Sequence, residues 1–194
     1  MLKNEKQFFL YHGSYTEVSQ IDLKKCYRGL DFGKGFYLTT SREQAISFVP
    51  NSIKKAISKG LLPKNFSVSD GRISKYVYNF NDSLKILEFV KADVDWLHFV
   101  AAHRNGRLFP ELVEKYSAFD IVIGKIADDQ TATTLIAYVS GVYGIPGSAE
   151  ADEFAIRKLL PNKLKDQYCF RTERALSYLK FVGSESYGNA KSFR

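Results

Sequence analysis

"LYHGS", residues 10–14, and "DFGKGFYLTT", residues 31–40, decide how this chain is read. The first ends the apolar run QFFLYHG, residues 7–13, with a histidine and a glycine before Ser14. The second sets Phe32, Phe36 and Tyr37 around Gly33 and Gly35. β-formers bounded by turn residues make each a strand, expected over 7–13 and 35–40. Gly13 lacks the side chain that would keep a ligand from the backbone, which favours a site there. His12, Gly13 and Ser14 thus offer an imidazole, open peptide groups and an alcohol within one turn. Successive strand residues point to opposite faces, so one of Phe36 and Tyr37 enters the core while the other faces a cleft. A tyrosine in that position can stack on a planar ring.

Ser41 and Gln44 fit a capping box, opening a helix whose stripe Ala45, Phe48 and Val49 reaches Pro50, where the helix is expected to stop or kink. Ile53, Ala56 and Ile57 continue the stripe to Gly60. SKYVYNFN (74–81) and LKILEFV (84–90) read as a hairpin around Asn81–Ser83. A second helix begins at Asp93 or Asp95, with Trp96, Phe99, Val100 and His103 on one buried face. His103 is therefore expected to be packed and His98 exposed. FDIVIGKIA (119–127) reads as a buried strand, followed by helices over about 130–143 and 149–160. DQYCFRT (166–172) reads as the last strand, and TERALSYLKF (172–181) as a helix capped by Thr172. The order β, β, α, β, β, α, β, α, α, β, α lacks the alternation of a doubly wound sheet and places the chain in the α+β class. One domain is expected over 1–182, with a flexible C-terminal tail over 183–194.

With 194 residues, 45% of them hydrophobic, the chain can fill one sizeable core. No stretch approaches the roughly 20 apolar residues of a membrane span, and the N-terminal apolar run is too short for a secretory signal. A cytoplasmic protein with no membrane partner is expected. Cys26 and Cys169 lie far apart without neighbouring Cys or His, so both read as small buried residues rather than a disulfide or zinc site. The three histidines show no metal-ligand spacing, so no metal is expected, and the chain has neither a P-loop nor a G-x-S-x-G elbow. The net charge is +7, unevenly spread. Residues 1–60 carry 10 basic and 5 acidic side chains, 61–153 carry 9 and 13, and 154–194 carry 9 and 3. Basic ends that met in space would suit phosphates.

YHGS, then DFGKGFYLTT, then SREQA opening a helix resembles the ADP-ribosyltransferase superfamily, in the histidine–tyrosine branch shared by diphtheria toxin and the poly(ADP-ribose) polymerases. More narrowly, the pattern is similar to a bacterial domain-of-unknown-function family of ADP-ribosyltransferase-like toxins. VDWLHFV, IVIGKIADDQ and DQYCFRTERALSYLKF extend the likeness over residues 8–181. The resemblance implies a split α+β fold, with two small sheets packed at a steep angle and NAD as co-substrate in the cleft. It implies that His12 hydrogen-bonds a ribose of NAD, that the backbone of Gly13 grips the nicotinamide amide, and that Tyr37 stacks on the nicotinamide ring. Ser14, Phe32, Gly33 and Gly35 would line the pocket, with Asp31 and Lys34 as further candidates.

The branch's third motif is a glutamate at the start of a later strand, and the residue in that place here is Gln167. A glutamine hydrogen-bonds a hydroxyl but neither ionises nor takes a proton. Two readings follow from this departure: transfer of one ADP-ribose to an acceptor needing little base help, or a carboxylate supplied by Asp128 or Asp129. Those two aspartates also suit capping of the helix near Gln130. The expected activity is NAD-dependent mono-ADP-ribosyl transfer to a macromolecule, protein or nucleic acid, within a toxin paired with an antitoxin protein. Two alternatives stay open: a metal-independent ribonuclease using His12 as acid/base, and a non-catalytic module binding NAD or ADP-ribose. The segment 15–31 is the candidate lid.

Overall fold

A computed structural model describes residues 7–26, 30–125, 129–159 and 166–192. In chain order its elements are β1 (Gln7–Ser14), β2 (Phe36–Thr39), α1 (Arg42–Ser58), β3 (Arg72–Asn79), β4 (Ile86–Glu88), α2 (Val94–Arg104) and α3 (Pro110–Lys115). Then come β5 (Ile121–Lys125), α4 (Asp129–Val139), α5 (Ala149–Leu159), β6 (Asp166–Phe170), α6 (Glu173–Leu176), β7 (Leu179–Ser186) and α7 (Tyr187–Ser192). The chain is an α+β protein. It forms two compact units, each drawn from separated stretches of sequence. The first unit takes the described residues of Met1–Asp22, Tyr37–Asp82 and Leu176–Arg194, and the second those of Leu23–Phe36 and Ser83–Ala175.

In the first unit β1 pairs antiparallel with β2 at Tyr11↔Thr39 and with β3 along its whole length, from Gln7↔Asn79 to Ser14↔Arg72. β7 extends the sheet beyond β3. α1 lies on this sheet because its apolar residues recur at helical spacing. Ala45, Ile46, Val49 and Ile53 form one core with Ile73 of β3 and Ala190 of α7. Ser41 caps the helix by accepting from the Gln44 N–H at 3.3 Å. The reciprocal half of the capping box is taken by Thr39, whose hydroxyl accepts from the Ser41 N–H at 3.1 Å and donates to the Gln44 side chain at 3.0 Å. α1 runs unbroken through Pro50. Burial of the stripe on both sides of Pro50 offsets the helical bond that proline cannot donate.

The C-terminal segment corrects the expectation of a flexible tail. The helix capped by Thr172 is one short turn, with the Ala175 N–H bonding Thr172 Oγ1 at 3.1 Å. The chain then enters β7, whose register against β3 jumps from Lys75↔Gly183 to Tyr76↔Phe181 and leaves Val182 as the bulged residue. Gly183 follows the bulge at φ 147°, a conformation open to glycine. Arg42 of α1 makes a bidentate pair with Glu185 at 2.7 Å for each bond. Ala190 is buried to 1% exposure. Truncation after Val182 should therefore lower the free energy of unfolding by far more than the ~0.5 kcal/mol scale of surface changes, read as a lower midpoint of chemical unfolding. An unchanged midpoint would restore the flexible-tail reading.

In the second unit β5 pairs parallel with β4 and antiparallel with β6. The expected hairpin of 74–81 with 84–90 does not form, because β3 belongs to the first unit and β4 to the second. Asp120 fixes β4 instead. Its carboxylate accepts from the Lys85 N–H at 3.0 Å and from the Thr172 hydroxyl at 2.7 Å, while its own N–H bonds the Lys85 carbonyl at 2.8 Å. Burial pushes its acidity toward the neutral form, but these bonds and nearby cations hold the carboxyl below the ordinary value. Asp93 caps α2 by accepting from the Trp96 N–H at 3.2 Å. α2 buries Trp96, Leu97, Phe99 and Val100 completely. α3 was not foreseen; Pro110 opens it at the first helical position.

Candidate functional site

His12 and Tyr37, separated by 25 positions in sequence, meet in the first unit. His12 Nδ1 lies 2.8 Å from the backbone oxygen of Tyr37. A carbonyl only accepts, so Nδ1 carries the proton and Nε2 of the neutral ring is an acceptor. Burial lowers the pKa of His12 from 6.5, with the Tyr37 bond opposing it, so the neutral ring is the form present at pH 7. Phe36 is buried and Tyr37 half-buried, the division that strand alternation predicts.

Gly13 has a different cause from the open backbone that the sequence suggested. A Cβ built there would lie 1.9 Å from the Ala45 carbonyl oxygen, so the space is already filled by α1. Glycine is required for the helix to approach the sheet this closely. Ser14, the last residue of β1, is a buried polar residue opposite Arg72. The start of the candidate lid is tied down: the Val18 N–H bonds Ser74 Oγ at 3.1 Å, and the Tyr76 hydroxyl donates to the Val18 carbonyl. Residues 27–29 of that segment lie outside the described residues.

The second unit holds the remaining expected residues. Asp31 is engaged by Arg104 at 2.6 Å. Phe32 is completely buried among Phe89 and Phe99, at ring-centroid distances of 6.5 Å and 6.0 Å, and is a core residue rather than a pocket wall. Gly33 adopts φ 75°, and a Cβ there would meet His103 Cδ2 at 2.4 Å. His103 packs as expected. Its Nδ1 donates to the Phe99 carbonyl at 2.9 Å, and burial lowers its pKa. Gly35 faces Cys169, whose Sγ would lie 2.4 Å from an added Cβ. Lys34, between the glycines, is half-buried. Gln167 is 8% exposed, opposite Gly124 in the ladder, and its Nε2 donates to the Lys125 carbonyl at 3.5 Å. Asp166 pairs with Lys125 at 2.8 Å. Asp129 opens α4, and Asp128 lies outside the described residues. Cys169 is buried, while Cys26 is only half-buried, contrary to expectation.

One polar cluster escaped the sequence reading. His98 is not exposed: its Nε2 lies 2.7 Å from Asp152, and its ring stacks on Phe109 at a centroid distance of 4.1 Å. Asp152 also accepts from the Tyr138 hydroxyl and from the Gly147 N–H at 3.2 Å. The network ties α2, α4 and α5 to the turn between α4 and α5. Its members lie 54 and 14 positions apart, with no local spacing to betray them. Among the described residues no group of three His, Cys, Asp or Glu side chains is placed to hold a metal ion, and no helix is long and apolar enough to cross a membrane.

Fold and site together define an α+β protein in which the backbone of a strand tyrosine orients a neutral histidine on the neighbouring strand. The chain belongs to the family described as "Protein of unknown function (DUF3990)", whose model matches residues 8–181. Comparison with curated proteins finds no match.

Proposed function

We propose that the chain is an NAD-dependent mono-ADP-ribosyltransferase, acting in the cytoplasm on a macromolecular acceptor as a toxin held by an antitoxin partner. The observation that carries this reading is the 2.8 Å contact between His12 Nδ1 and the Tyr37 carbonyl, which joins two segments resembling the superfamily's first two motifs. Bound NAD supplies a scissile nicotinamide–ribose bond, and transfer of its ADP-ribose to a nucleophile releases nicotinamide. His12, neutral and held by Tyr37, accepts a hydrogen bond from a ribose hydroxyl through Nε2. The half-buried Tyr37 ring stacks on the nicotinamide, a contact worth about 1 kcal/mol beyond burial. Of the expected pocket residues, Asp31 and Phe32 fit poorly, one ion-paired and the other in the core. Gln167 orients a hydroxyl without removing its proton, so the acceptor nucleophile needs little base assistance or receives it from another carboxylate.

The experiment is nicotinamide release from NAD by the purified protein, alone and with RNA, DNA and protein fractions of a cell extract. Release that requires one fraction and falls at least about tenfold in Tyr37→Ala supports the transferase. The Gln167→Ala control shows whether the amide contributes to turnover. The neutral amide at Gln167 also favours a module that binds NAD or ADP-ribose without turnover, and NAD binding with no release under any fraction would select it. RNA cleavage without NAD, abolished by His12→Ala, would select the ribonuclease.

A further inference from the structure

The exposed face of α1 has a chemistry unlike the rest of the first unit. Between Glu43 and Asp70 the sequence contains no acidic residue and four lysines: Lys54, Lys55, Lys59 and Lys64. Ala45, Ile46, Val49, Ile53 and Ala56 face the core, and helical spacing puts Ser47, Phe48, Asn51, Lys54, Lys55 and Ser58 on the opposite, exposed stripe. Lys59, at the C-cap, and Lys64 are exposed as well. Phe48 keeps 45% of its surface exposed on this otherwise polar face, with the Lys55 ammonium 5.6 Å from its ring centroid. The Ser47 hydroxyl donates to the Gln44 carbonyl at 2.8 Å and the Ser58 hydroxyl to the Lys55 carbonyl at 2.9 Å. With their single protons so directed, both hydroxyl oxygens can only accept from a ligand.

We propose that this face of α1, from Ser47 to Lys59, binds single-stranded RNA. The lysines supply donors and positive charge for phosphates, and Phe48 supplies a platform for a base. Ser47 and Ser58 have lone pairs for a partner that donates, which phosphate does not and a ribose 2′-hydroxyl does. From Phe48 to Lys59 the face measures about 17 Å, the length of about five stacked nucleotides. The site goes beyond the transferase reading and does not rest on it, since binding is measured without NAD.

The test is fluorescence anisotropy with a labelled, mixed-sequence single-stranded RNA of about 12 nucleotides. DNA of the same sequence and anionic phospholipid vesicles serve as competing probes. The expected result is RNA binding whose logarithm falls with the logarithm of salt concentration at a slope of about −2 to −3. Lys54→Glu combined with Lys55→Glu should weaken it at least about tenfold, and Phe48→Ala at least about fivefold. DNA should bind more weakly. If the charge reversal disturbs the fold by circular dichroism, the milder Lys54→Gln with Lys55→Gln should still weaken binding and reduce the salt slope by about one or more. Absence of RNA binding, salt-insensitive binding, DNA binding as tight as RNA, capture only by vesicles, or RNA binding unchanged in folded variants would each overturn the proposal.

Discussion

Gly13→Ala is expected to unfold the first unit or to cost it about 3 kcal/mol or more, at the upper end of overpacking effects. The added Cβ would lie 1.9 Å from the Ala45 carbonyl oxygen, 2.8 Å from its carbon and 3.2 Å from Val49 Cγ2. Two of those atoms are helix backbone, so no rotamer change relieves the clash. α1 must move off the sheet, exposing the core of Ala45, Ile46, Val49 and Ile53. Gly106→Ala is the matched control, because a Cβ there meets nothing within 4 Å. It should change stability by no more than about 0.5 kcal/mol. Denaturant unfolding of both variants checks the prediction, and equal midpoints would show that α1 can shift to accept a Cβ at residue 13 and that glycine is not required there.

On the proposed transferase reading, His12→Ala is expected to reduce NAD-dependent nicotinamide release by about 10²–10³-fold, the scale for loss of one preorganised hydrogen-bonding group. His12→Gln should recover part of this, since its amide oxygen can also accept from a hydroxyl. The pH dependence follows from the lowered pKa. The active ring is neutral, and burial keeps it neutral as pH falls past 6.5, the value of an unburied histidine. Release should therefore stay level down through 6.5 and decline only on the acid side of it. An acid limb at or above 6.5, absent in His12→Gln, would show that the ring takes up its proton there and that burial does not lower its pKa. Release that rises as pH falls through 6.5 would instead show that the protonated ring is the working form. Folding adds a decline of the same sign. His12 and His103 both have lowered pKa values, so the unfolded chain binds protons first and stability falls as pH drops below 6.5. Circular dichroism at each pH separates loss of fold from loss of activity.

The elements that the sequence revealed are those whose signals are local. Ser41, Asp93 and Thr172 are caps because an oxygen side chain lies three residues before an N–H that needs an acceptor. The buried face of α2 followed from the spacing of Trp96, Phe99 and Val100. β7 was illegible for the opposite reason: KFVGSES is interrupted by the Val182 bulge, and its residues are mostly half-buried. Only its pairing with β3 makes it a strand. The rejected hairpin shows the same limit, because the link from Asp120 to Lys85 spans 35 positions and outweighs proximity along the chain.

At the candidate site the sequence by itself determined which chemistry was present: an imidazole beside a glycine, a strand tyrosine, and an amide at Gln167 where a carboxylate was expected. Tertiary structure alone decided how those groups are used. It placed the Tyr37 carbonyl against His12 Nδ1, which fixes the tautomer, and burial, which keeps the ring neutral, comes from the same packing. It also assigned Gly13 to helix packing, Asp31 to Arg104 and Phe32 to the core. Residue type and local spacing limit which bonds a group can make. Which of them it makes depends on partners brought from distant parts of the chain, and those partners are set by packing.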